Sequence, residues 1–239
     1  MKESVADGIM MKATKAYIGK RIRLIAGSVP RISGPVLFAA NHPTTLDPLL
    51  LQYALKLSYS SLLTEAAFSL PIVRSILVGA GHVPVGEKGS GGKALIERVA
   101  ATARSGRPLA IFPEGCLSPG PGIAPLRSGA VRIAATARLP VVPVGIAVSE
   151  DGIKKVSMVL GGKLETGRYL LHGWYVVRVG RPISFDLSPD DRLAVESCTG
   201  ELGLAMKRQA MEAQALLAVL EGRESPEANA CFSAILASS

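Results

Sequence analysis

Between Val36 and Val179 short apolar runs alternate with segments of helical period, and this alternation constrains the fold more than any other feature. Val36–Ala40, Ser60–Thr64, His82–Val85, Pro108–Phe112, Val141–Val148, Val156–Leu160 and Trp174–Val179 have the length and composition of strands. Between them lie helical segments over Thr45–Lys56, from Pro71 to Gly79, over Lys93–Ser105 and over Gly129–Arg138. Strands separated by helices of roughly 10–15 residues pair side by side in one direction, with the helices on the sheet faces. The expected fold is therefore α/β: a single domain with a mixed, mostly parallel sheet of about seven strands covered by helices. Ser188–Leu220 predicts a long Ala/Leu-rich helical region with a break near Gly200. Residues 1–20 form a basic amphipathic segment, 21–221 the domain, and 222–239 a loose tail.

Charge is unevenly placed. The chain of 239 residues carries a net charge of +8. Lys2, Lys12, Lys15, Lys20, Arg21, Arg23 and Arg31 face only Glu3 and Asp7 in the first thirty-five residues. A basic end on an apolar-rich body suggests an anionic surface as partner. Aromatic residues make up only 5%, with no array suited to stacking bases, so lipid is favoured over nucleic acid. Residues 8–21, with Met11, Thr14, Ile18 and Ile22 at helical spacing, predict an amphipathic helix. It has two readings: a helix lying in a membrane interface, or one packed on the domain with a solvated basic face.

The longest run without Asp, Glu, Lys or Arg is Ile32–Leu46, shorter than the roughly 20 apolar residues of a spanning helix. No secretory leader pattern is visible at the N-terminus. Cys116, Cys198 and Cys231 have no metal-ligand spacing, so reduced thiols in a cytoplasmic setting are expected.

In open α/β sheets, chemistry collects on loops at the carboxyl ends of strands. Two segments have that placement. Asn41-His42-Pro43-Thr44-Thr45-Leu46-Asp47 follows the first run, and Pro113-Glu114-Gly115 follows Pro108–Phe112. A histidine on such a loop, with an aspartate in the first turn of the next helix, makes a base and its orienting carboxylate. The carboxylate fixes the tautomer and balances the imidazolium, while a substrate hydroxyl does the attacking.

His42–Asp47 is followed in order by Gly81-His82-Val83-Pro84-Val85, by Phe112-Pro113-Glu114-Gly115 and by Val142-Pro143-Val144. With Leu126-Arg127-Ser128-Gly129-Ala130 between the last two, roughly residues 20–185 resemble the glycerolipid acyltransferase family, which contains the 1-acylglycerol-3-phosphate acyltransferases. The resemblance implies acyl transfer from a thioester donor, acyl-CoA or acyl carrier protein, to an alcohol. It implies His42 as general base, Asp47 as its partner, and Glu114, Gly115 and Ser118 in the acceptor site. No metal or other cofactor is expected. The setting it implies is the cytoplasmic face of a membrane, with the enzyme bound peripherally.

Two departures bear on the acceptor. The positions of the family's phosphate-binding arginines hold Glu87 and Leu117. Arginine suits phosphate because its fork donates in pairs. Lys88 or Arg127 could substitute. The departures also open two alternatives, a non-phosphorylated acceptor, or a lipid- or carrier-binding protein with a decayed acceptor site. Gly86–Ala94 superficially resembles a nucleotide P-loop but fails at Glu87 and Ala94. Cys116 at a threonine position is not expected to act as a nucleophile, and His82 and His172 are expected to be surface or packing residues.

Overall fold

The computed structural model describes residues 4–69, 71–86, 92–118, 122–160 and 163–223. Lys88 and Glu87, and the tail from residue 224 onward, lie outside the described residues.

Nine strands are described: β1 (Ile22–Ala26), β2 (Leu37–Ala40), β3 (Ser60–Thr64), β4 (Val83–Val85), β5 (Leu109–Ile111), β6 (Val141–Val148), β7 (Ile153–Leu160), β8 (Lys163–Leu170) and β9 (Gly173–Val179). Six α-helices accompany them: α1 (Val5–Ile18), α2 (Asp47–Leu55), α3 (Pro71–Gly79), α4 (Gly92–Arg104), α5 (Gly129–Ala137) and α6 (Arg192–Leu220). Seven strands form one sheet in the order β1-β9-β6-β2-β5-β3-β4. Every pairing in it is parallel except β6 with β9. The expected α/β sheet of seven mostly parallel strands is therefore the observed one. β7 and β8 form a separate antiparallel hairpin.

β2 shows how the sequence builds the two-faced core. Phe38 and Ala40 point into the cluster that holds Leu50, Leu51, Tyr59 and Tyr175. Leu37 and Ala39 point the other way, against Val99, Ala134 and Met206. Period-two alternation with both faces buried explains why no polar residue interrupts this strand. β6 is buried along all eight residues. At its middle, a Cβ on Gly145 would come within 2.0 Å of the backbone of Gln209, so only glycine lets α6 lie directly on the sheet.

Four expectations change. Residues 22–26 form the edge strand β1, so Ile22 ends no helical stripe; it pairs in register with Gly173 at the start of β9. β8 was not expected, because Lys163–Leu170 is mostly polar; it is held by ladder bonds to β7. α6 continues through Gly200 and Gly203 without a break. Each glycine costs about 1 kcal/mol against alanine, and the packed stripe of Val195, Leu202, Met206, Ala210, Ala213 and Leu217 outweighs that. The helix expected over residues 8–21 runs instead over Val5–Ile18, because it starts at a capping box, with Ser4 Oγ accepting from the Asp7 amide while the Asp7 carboxylate accepts from the Ser4 amide.

The inner face of α1, Asp7, Met10, Thr14 and Ile18, is buried on the domain. Its anchor is the fully buried Asp7, which pairs with Arg107 at 2.7 Å. Burial alone would raise the Asp7 carboxyl, but the bonds from Arg107 and Ser4 more than offset it, and its pKa lies below the ordinary value. A lowered native pKa contributes stability that is present above the unfolded carboxylate pKa, near ~3.9, and lost as pH falls through the native value. Asp7→Asn is thus expected to cost about 3 kcal/mol in urea unfolding at neutral pH. The gap to the parent should close in acid; a gap that persists at low pH would show that the charge is not what anchors α1.

Candidate active site

β2 ends at Ala40, and the chain turns through residues 41–46 into α2. Asn41 continues the sheet with its side chain: Nδ2 donates to the Ile146 carbonyl at 2.9 Å, and Oδ1 accepts from the Ile146 amide at 2.7 Å. The backbone beyond Asn41 is thereby freed from the ladder without losing its anchor to β6.

His42 Nδ1 lies 2.8 Å from Asp47 Oδ2. Asp47 is fully buried, whereas the His42 side chain keeps 19% of its surface. The carboxylate also accepts from the Thr44 amide and hydroxyl at 2.8 and 2.6 Å, and from the Tyr175 hydroxyl at 3.1 Å. With these four donors the carboxylate's acceptor positions are filled. Asp47 stands at the first residue of α2, where the helix dipole favours an anion. One face of the imidazole stacks on Phe112, with ring centroids 4.3 Å apart. Nδ1 bonded to a buried carboxylate and a ring backed by Phe112 leave Nε2 uncommitted among the described residues.

β5 neighbours β2, so the Pro-Glu-Gly loop emerges beside His42. Glu114 is buried and points inward. Its Oε1 accepts from the His42 amide at 3.0 Å and from the Ser118 hydroxyl at 2.7 Å, and its Oε2 accepts from the Ala124 amide at 2.7 Å. The Ser118 amide in turn donates to the His42 carbonyl at 2.8 Å. Glu114 and Ser118, expected at the acceptor, therefore clasp the two loops together. Gly115 is exposed, with φ +68°, a conformation glycine adopts without strain. A Cβ there would come within 2.5 Å of the Arg127 guanidinium carbon. Arg127 is exposed, and its backbone amide donates to the Pro113 carbonyl at 2.8 Å. The structure thus brings His42, Asp47, Glu114, Gly115, Ser118 and Arg127 into one cluster.

A model of the acyltransferase family matches residues 16–147, more than half of the chain. The chain belongs to the acyltransferase family. The enzyme is accordingly an acyltransferase, and the matched segment contains all six residues of that cluster, with Tyr175 lying beyond it. Among solved structures it is similar to the 1-acyl-sn-glycerophosphate (LPA) acyltransferase PlsC from Thermotoga maritima. That match has a TM-score of 0.63 and 17% identity, and covers 88% of this chain and 78% of that one. At this identity the likeness concerns the fold. No curated protein matches the chain.

Tyr175, Thr44 and Phe112 touch Asp47 or His42 of the acyltransferase, and sequence reasoning missed all three. Thr44 and Phe112 lie within the quoted segments, so proximity could have flagged them. Tyr175 is 128 positions from Asp47 and carries no local signal. His82 is a packing residue: its Nδ1 accepts from the Ser61 amide at 2.9 Å, and burial, with Arg107 nearby, pushes its pKa down to about 4. His172 lines a surface groove with Lys20, Arg23 and Trp174. No cluster of three His, Cys, Asp or Glu side chains suited to a metal ion occurs among the described residues.

The inward Glu114 makes a discriminating substitution available. Glu114→Gln places an NH2 group against donors on at least one side, so the clasp loses bonds. We expect a lower unfolding temperature and a lower kcat, with KM for the acceptor little changed. A raised KM alone, at unchanged stability, would instead place this carboxylate on the acceptor.

Proposed function

We propose that this acyltransferase moves a fatty acyl group from acyl-CoA or acyl carrier protein to the hydroxyl of a lyso-glycerolipid acceptor. The observation that carries the reading is the 2.8 Å bond from His42 Nδ1 to the buried Asp47, which leaves Nε2 as the open base. Nε2 takes the proton from the acceptor hydroxyl, and the acceptor oxygen attacks the thioester carbonyl. The C–O bond forms, the C–S bond breaks, and the imidazolium returns the proton to the leaving thiolate. Asp47 holds the ring in the tautomer that keeps Nε2 free, and its charge stabilises the imidazolium.

Arg127 supports an acceptor with an anionic headgroup. Its guanidinium lies over Gly115 at the rim, where it can offer a paired fork to phosphate despite Glu87 and Leu117. Such acceptors live in membranes, and the thioester donors named here are cytoplasmic molecules. The proposed setting is therefore the cytoplasmic leaflet, with peripheral attachment. No helix among the described residues is long and apolar enough to cross a membrane.

The test incubates labelled palmitoyl-CoA with lysophosphatidic acid, glycerol-3-phosphate, neutral lyso-lipids and a glycolipid. His42→Ala should lose roughly 10²–10⁴-fold in transfer rate while keeping its circular dichroism spectrum. Arg127→Ala should raise KM for the phosphorylated acceptor roughly tenfold or more, the scale of one charged hydrogen bond, with kcat little changed. Transfer confined to neutral acceptors, indifferent to Arg127→Ala, would reverse the assignment of the acceptor. Full activity in His42→Ala would remove the base.

A further inference from the structure

The β7–β8 hairpin stands apart from the main sheet and is anchored to the catalytic loop. It leaves the carboxyl end of β6, and β6 runs parallel to β2, so the hairpin starts on the same sheet edge as His42. The Thr45 amide donates to the Arg168 carbonyl at 2.8 Å, and the Arg168 amide donates to Thr45 Oγ1 at 2.9 Å. The Arg168 guanidinium donates to the Pro43 carbonyl at 2.9 Å and to both oxygens of Glu150 at 2.8 Å. The base is therefore rigidly tied to the segment that carries His42 and Asp47.

The far end has the opposite character. The ladder places Val159 opposite Leu164, and these side chains are 68% and 74% exposed. The sequence here reads Met158-Val159-Leu160-Gly161-Gly162-Lys163-Leu164, where a solvated hairpin would carry polar residues. Behind the Val159–Leu164 pair on the same face come Ser157 and Thr166, whose hydroxyls bond each other at 2.8 Å. Behind these is Lys155, with Lys154 on the other face, both exposed. From Val159 to Lys155 is four residues, or about 13 Å of strand. An interfacial element buries its apolar part ~5–10 Å into the headgroup–acyl boundary. An apolar tip, a hydroxyl band and a lysine pair thus fall in the order of acyl chain, glycerol ester and phosphate. The segment from Ile153 to Leu170 holds Lys154, Lys155 and Lys163 against Glu165, with Arg168 already paired to Glu150, a balance that suits an anionic surface.

A second apolar projection lies on this edge. α3 follows β3, which is parallel to β5 and so ends on the same edge as β2. In its first turn Ile72 is 78% exposed. Apolar side chains presented from two separate elements of one edge suit an extended surface better than a single peptide partner.

We propose that the β7–β8 hairpin seats the enzyme on an anionic lipid bilayer. Val159 and Leu164 enter the acyl boundary, Lys154 and Lys155 meet headgroup phosphates, and the tie through Arg168 and Thr45 brings His42 to the bilayer surface. This deepens the proposed function by assigning its membrane contact to one element, and binding to vesicles is read without turnover.

The experiment sediments the full chain with extruded vesicles of phosphatidylcholine, with and without phosphatidylglycerol. Val159→Glu with Leu164→Glu should lower partitioning roughly tenfold or more, at unchanged thermal unfolding. Lys154→Glu with Lys155→Glu should abolish the preference for phosphatidylglycerol and its salt sensitivity. Should the first variant fold poorly, Val159→Trp supplies an indole whose fluorescence brominated acyl chains should quench beyond the parent level. Parent-like sedimentation of both double variants, or no added quenching, overturns the proposal. So does a change of oligomeric state in Val159→Glu with Leu164→Glu at unchanged vesicle binding, which would make the tip a contact between copies. Loss of acyl transfer with retained vesicle binding would count against the proposed function and not against the hairpin.

Discussion

Everything at the active edge depends on β2 lying in the middle of the sheet, paired to β6 on one side and to β5 on the other. Parallel pairing puts the carboxyl ends of all three strands on one edge. The His42 loop and the Pro-Glu-Gly loop therefore leave the sheet as neighbours, although 72 positions separate their residues. Glu114 turns that adjacency into a fixed distance by accepting from the His42 amide, the Ser118 hydroxyl and the Ala124 amide. A buried carboxylate without such donors would cost several kcal/mol, so the two loops are bound to each other by its need for partners.

Asp47 obeys the same rule with a different result. It too is buried and saturated, but one of its four donors is a titratable ring with an open side. The Thr44 and Tyr175 bonds hold the carboxylate where it must receive Nδ1. Phe112 then limits the rotation of the imidazole from one face. Of the two buried carboxylates, one organises backbone and the other orients the His42 ring. The distinction comes from which donors surround each, since both are buried acids on the same sheet edge.

The surface around the site follows from the same topology. Strand ends that gather on one edge also send out the β7–β8 hairpin and the start of α3 there. The helix of the basic N-terminal segment, by contrast, directs Met10, Thr14 and Ile18 inward and fixes Asp7 to Arg107. Its apolar stripe is occupied by the domain, and its lysines face solvent. Exposed apolar side chains stand on several elements, Val5 of α1 and Leu193 of α6 among them, and on the edge that carries His42 they include the hairpin tip and the first turn of α3.

Much of this was legible in the chain. The alternation of apolar runs with helical periods determined an α/β sheet, because period-two and period-3.6 patterns cannot exchange places without exposing a core face. The spacing of His42 and Asp47 made their bond possible, because five residues span one strand-end turn into a helix. Other features were decided only by the tertiary structure. β1 and β8 are strands because of their ladder partners, β9 and β7, and their own composition is too mixed to announce them. α6 stays continuous through Gly200 because its buried stripe outweighs local propensity. Glu114 faces inward, and Tyr175 reaches Asp47, through contacts between distant segments. A linear pattern records each residue's chemistry and its near neighbours, whereas hydrogen-bond partners for buried polar groups are assigned only when the sheet order brings remote strands together.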